Sequence, residues 1–197
     1  MQTTKLSVLS LILMLPVILS GCMVTSLHPL YTGNDVVYNE ELTGSWKNTD
    51  GNDTWLFEEK SDRSYRLSIS DEESTGKFEA HLVSLDDNLF LDLFPEEPEN
   101  AEKGIGNLWY YLHLVPTHSF MAVSIEGDSL RLGLIQPDWF KDKIDQDKDI
   151  DVKFEVSDDD RYLLTDSTEG LQRFLLEHGN DKDFYKSYIL YRLKENE

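Results

Sequence analysis

From residue 43 onward, apolar side chains recur with a period of two, in short runs rich in β-branched and aromatic residues separated by turn chemistry. Successive residues of a strand face opposite sides of a sheet, so this pattern specifies strands and excludes a helical bundle. Thr54-Trp55-Leu56-Phe57-Glu58 precedes the polar Lys60-Ser61-Asp62-Arg63, after which Tyr65, Leu67 and Ile69 alternate with Arg66, Ser68 and Ser70, giving a hairpin. Residues 77–85 and 89–94 flank Asp86-Asp87-Asn88, whose side chains tolerate left-handed backbone angles and suit a tight turn. Two more hairpins follow, around Glu126-Gly127-Asp128 and around Asp158-Asp159-Asp160. Trp109, Tyr111, His113 and Val115 share one face of a further strand that Pro116 ends. In a last strand over 187–194, Tyr188, Leu190 and Arg192 share one face, with Ile189, Tyr191 and Leu193 on the other.

Two short helices interrupt the series. One starts at Pro137, a favourable first-turn residue, and groups Trp139, Phe140 and Ile144. The other starts at Asp166 or Ser167 and spaces Leu171, Phe174, Leu175 and His178 at i, i+3, i+4 and i+7 before Gly179. Nine or ten short antiparallel strands in 197 residues fit one mainly β domain, a closed barrel or a sandwich, because both dispose of exposed strand edges. The barrel is favoured. Gly44-Ser45-Trp46, just after Leu42, resembles the Gly-x-Trp of lipocalin-like (calycin) proteins. In that family the tryptophan plugs one barrel end against an arginine of a late strand, so the resemblance implies a barrel-closing pair of Trp46 and Arg192. The two helices depart from the simplest lipocalin order.

At the N-terminus Lys5 precedes an apolar run from Leu6 to Leu19, then Ser20, Gly21 and Cys22, which is the pattern of a secretory signal. The 14-residue run is shorter than the roughly 17–25 residues a spanning helix needs, and Pro16 interrupts it. Leu19-Ser20-Gly21-Cys22 resembles the lipobox of bacterial lipoproteins. That resemblance implies removal of residues 1–21, a diacylglycerol on Cys22 and a further acyl chain such as palmitate on its amine, which together meet the two-chain requirement for stable anchoring. Cys22 is the only cysteine, which argues against a disulfide. The expected organisation is a signal peptide over 1–21, a lipidated tether over 22–40 and an antiparallel β domain over 41–197. Met23 is not the aspartate associated with inner-membrane retention, so the expected address is the cell envelope, at the outer membrane or cell surface rather than the inner membrane.

Without residues 1–21 the chain carries 17 basic against 38 acidic side chains, a formal −21. A field of that sign disfavours nucleic acid and electrostatic adsorption to anionic headgroups, leaving the N-terminal lipid as the membrane partner. The five histidines lack the i, i+4 pairing or cysteine partners of a zinc site, although His113 and His118 could approach His81 across the sheet. Asp145, Asp147, Asp149 and Asp151 alternate, but a loop begun at Asp145 puts Ile150 and Val156 where an EF-hand needs glycine and glutamate. Weak cation binding there stays open beside a solvated acidic loop. No Gly-x-Ser-x-Gly elbow or nucleophile-base set is recognisable, and no metal or cofactor is expected. The expectation is a non-catalytic envelope lipoprotein that binds a small apolar ligand or a protein partner, with Trp109, Tyr111 and Phe120 lining a ligand site. The alternative is a structural or assembly lipoprotein with a solid-packed barrel and an acidic partner-binding surface.

Overall fold

A computed structural model describes residues 24–49, 51–60, 63–97 and 113–194. In chain order these form β1 (Thr25–Ser26), β2 (Val36–Val37), a 3-10 turn (Glu40–Leu42), β3 (Gly44–Lys47), β4 (Thr54–Lys60), β5 (Ser64–Ser70), β6 (Thr75–Leu85), β7 (Asn88–Pro95), β8 (Ser119–Glu126) and β9 (Ser129–Ile135). Then come α1 (Pro137–Asp145), β10 (Phe154–Val156), β11 (Tyr162–Leu164), α2 (Thr168–His178) and β12 (Tyr185–Arg192).

Strands β3 to β9 each pair antiparallel with the next, and β12 pairs with both β9 and β3, so eight strands close an up-and-down barrel. This resolves the choice between barrel and sandwich. Left-handed backbone angles fall at the hairpin turns, at Arg63 (φ 61°), Asp86 (φ 51°), Gly127 (φ 58°) and Asp160 (φ 57°), and at three of these four the residue is aspartate or glycine, which tolerate that conformation. The excursion between β9 and β12 carries both helices and the β10–β11 hairpin. That hairpin makes a separate three-stranded sheet with β1, in the order β1-β11-β10.

The alternation sorts apolar residues into two cores. One fills the barrel: Trp46, Phe57, Tyr65, Leu67, Leu82, Leu91 and Leu130 belong to one cluster and are each no more than 1% exposed. The other lies outside the wall of β6–β9, where Val83, Phe90, Phe120 and Ile135 pack under Trp139 and Phe140 of α1 and Leu171, Phe174 and Leu175 of α2. Trp139, Phe174 and Phe184 meet edge to face there, with ring centroids 4.9–5.8 Å apart. Ser167 caps α2 by accepting the Gly170 N–H at 3.3 Å, and Pro137 occupies the first turn of α1.

Residues 24–40, expected as a tether, are built into the domain. Val24 and Leu30 are buried, β1 pairs with β11, and the Thr168 hydroxyl and Gln172 amide of α2 donate to the Pro29 and Leu30 carbonyls at 2.9 and 2.8 Å. The strand expected over 109–115 falls largely outside the described residues. Its described part, from His113 to Val115, is not strand, and Leu114 and Val115 are exposed.

Candidate functional site

An eight-stranded barrel has an interior just wide enough for side chains or one small ligand. Inward-facing residues occupy this one from every strand, including Leu93, Met121, Val123, Leu132 and Leu190, all buried. Gly44, at φ 110°, lets the chain turn from the 3-10 turn into β3 and brings Trp46 across one end of the barrel. The Trp46 indole N–H donates to the Leu42 carbonyl at 2.9 Å. Arg192 lies directly opposite Trp46 in the β3–β12 register, its guanidinium 4.2 Å from the indole centroid. The same guanidinium donates to the Thr43 carbonyl at 2.7 Å and to the Glu41 carbonyl. The two residues that the Gly-x-Trp pattern pairs are therefore in contact at the barrel end.

Phe120 does not line the lumen. Its neighbours Met121 and Val123 point in, and alternation sends Phe120 outward to the core beneath the helices. Trp109 and Tyr111 lie outside the described residues, as does Cys22.

The main polar feature of the interior was not anticipated from sequence. Asp92 is 1% exposed and sits on the outer side of β7, between Phe90 and Phe94. One carboxylate oxygen is 2.7 Å from His118 Nδ1, and the other accepts the Leu30 N–H at 2.7 Å. His118 exchanges both backbone hydrogen bonds with Ser26, at 2.8 and 2.9 Å, and its ring packs on Phe94 with centroids 4.6 Å apart. Opposite Asp92 in the β6–β7 register is His81, its ring packed at a tilt against Tyr31 with centroids 4.3 Å apart. Burial holds the His81 imidazole below its usual range, and burial, then the charges of Asp92 and Glu79, push the Tyr31 hydroxyl up to about 12. A lone aspartate in Leu89-Phe90-Leu91-Asp92-Leu93-Phe94 is the sequence signal for such a site, since an ionisable group inside an apolar strand needs a buried partner.

An aspartate oriented on a histidine is two-thirds of a hydrolytic triad. Here the second carboxylate oxygen is taken by a backbone amide, and the neighbouring Ser26 hydroxyl donates to the His28 carbonyl at 2.8 Å rather than to the ring. The arrangement ties the N-terminal segment to the barrel wall. Among the described residues no three His, Cys, Asp or Glu side chains converge as a metal site, so His81, His113 and His118 are not brought together as one. The acidic run from Asp145 to Asp151 is exposed, with Asp145 3.7 Å from Lys141 and Asp151 3.3 Å from Arg173.

One open groove, of about 560 Å³, lies on the outer face of the small sheet, lined by Thr25, Leu163 and Glu155 together with Val115, Thr117 and Val156. No protein-family model matches the chain, and neither a curated protein nor a solved structure is significantly similar to it.

Proposed function

We propose that the protein is an envelope lipoprotein, held at the outer membrane or cell surface by acyl chains on Cys22. Its filled barrel is a rigid, non-catalytic scaffold that presents an acidic surface to a protein partner. The observation that carries this reading is the barrel interior: seven large side chains from β3 to β9 that are at most 1% exposed occupy the space a small ligand would need. The surface around them is strongly anionic, at a formal −20 for the whole chain, and the exposed ridge from Asp145 to Asp151 concentrates that sign. Such a surface steers and docks a basic partner, in a manner that salt screens.

The anchor is tested by expressing the full chain and its Cys22→Ser variant and fractionating the cells. The wild type is expected with the membranes and carrying labelled palmitate, and the variant free of both. A variant that stays with the membranes unlabelled removes lipid on Cys22 from the account.

A further inference from the structure

We infer that the groove on the outer face of the small sheet, with the Leu114-Val115 corner beside it, is the face that rests on the bilayer holding the acyl chains of Cys22. This rests on the anchoring proposed above. The first supporting observation is where the chain leaves the structure. Val24 is already buried at 3% exposure and Thr25 lines the groove, so little slack separates the domain from the lipid-bearing residue. Two residues of fully extended chain reach about 7 Å, and three about 11 Å. A lipoprotein with a long tether leaves its domain free to tumble above the membrane, whereas this one keeps the wall around Thr25 within a headgroup layer's thickness of the anchor.

The second observation is what that wall exposes. Val115 is 69% exposed, Leu114 47%, Val156 43% and Leu27 41%, four of the seven large apolar side chains that stand out of the described surface. Val115 and Val156 share the groove with Thr25 and Leu163, and Leu27 follows two residues after Thr25. Apolar side chains at the edge of a domain already tethered to a bilayer gain from leaving water for the headgroup boundary. The charges set the kind of surface. Glu155 and Arg161 line the groove, Arg161 is paired with Asp159 at 2.8 Å, and the acidic Asp158-Asp159-Asp160 turn joins the lining residues Ser157 and Arg161, so the net sign there is negative. The face therefore suits zwitterionic lipid and is repelled by a densely anionic leaflet.

The test uses the acylated full-length protein carrying a Val115→Cys or an Asp128→Cys substitution, each labelled with an environment-sensitive fluorophore and reconstituted into phosphatidylcholine vesicles doped with nitroxide-labelled lipid. Asp128 lies in the β8–β9 turn, a strand length of about 25 Å from the groove end of β8. The fluorophore at 115 is expected to shift to the blue and lose intensity to the nitroxide, and the one at 128 to keep its aqueous emission. Replacing half the phosphatidylcholine with phosphatidylglycerol is expected to reduce the shift. If the protein floats with the vesicles but position 115 stays aqueous, or if both positions shift alike, the membrane-facing groove is refuted and the anchor stands. If the protein does not float, the anchor fails and this face falls with it.

Discussion

Replacing Asp92 with alanine removes the acceptor of two buried donors at once, the Leu30 N–H and the His118 ring nitrogen, each 2.7 Å from a carboxylate oxygen. Leu30 is fully buried and His118 nearly so, so neither donor recovers a bond to water without opening the segment. A buried donor left without a partner costs about 1–3 kcal/mol, which puts the variant near 4 kcal/mol less stable for the pair. For a domain of this size each kcal/mol lowers Tm by about 2–4 °C, so the expected drop is about 8–16 °C. Denaturant unfolding followed by tryptophan fluorescence measures the loss. Amide exchange locates it, with Leu30 and the β1 amides losing protection before the barrel amides do. Asp92→Asn is expected to lie between, because its amide keeps one acceptor and can donate to His118 if the imidazole changes tautomer. A loss under about 1 kcal/mol with Leu30 still protected would refute the claim that this carboxylate clasps the N-terminal segment to the wall.

Three further outcomes follow from named contacts. Arg192→Lys loses the fork that spans the Thr43 and Glu41 carbonyls over the Trp46 ring and is expected to cost about 1–2 kcal/mol, measurable in urea. Tyr185→Phe deletes a buried hydroxyl with no hydrogen-bond partner among the described residues, and is expected to leave stability unchanged or raise it by up to about 1 kcal/mol in the same assay. Acidification is expected to destabilise the fold in two stages. Burial lowers the folded-state affinity of His81 for a proton, so stability falls as pH drops below the unfolded value of about 6.5. A hydrogen bond from Lys60 lowers Glu96, and one from the Lys153 amide lowers Asp166. Their contributions are present above the unfolded carboxylate pKa of about 4 and are lost as pH falls through the folded values. A His81→Phe variant that retains the first stage in a Tm-against-pH series would contradict this assignment.

The barrel was legible because its inward set is strictly alternate: Tyr65, Leu67 and Ile69 on β5, Leu89, Leu91 and Leu93 on β7, and Leu130, Leu132 and Leu134 on β9 all meet in one core. The helices were legible from their spacing and first-turn residues, and the contact of Trp46 with Arg192 from the Gly-x-Trp pattern. What alternation does not encode is which of two apolar faces points inward. On β8 both Phe120 and Met121 are buried, one under the helices and one in the lumen, so a strand covered on both sides reads the same in either register. The N-terminal segment was illegible for another reason. It docks through single long-range bonds, from Leu30 to Asp92 and from Thr168 and Gln172 back to residues 29 and 30, and these leave no period in the sequence.

A native mass spectrum of the mature protein extracted from membranes tests the proposed lipid anchor and the filled barrel together. The expected mass is that of residues 22–197 plus acyl chains, with no small molecule released on activation. A bare protein mass would contradict the anchor, and an acylated protein that releases a bound passenger would contradict the filled lumen.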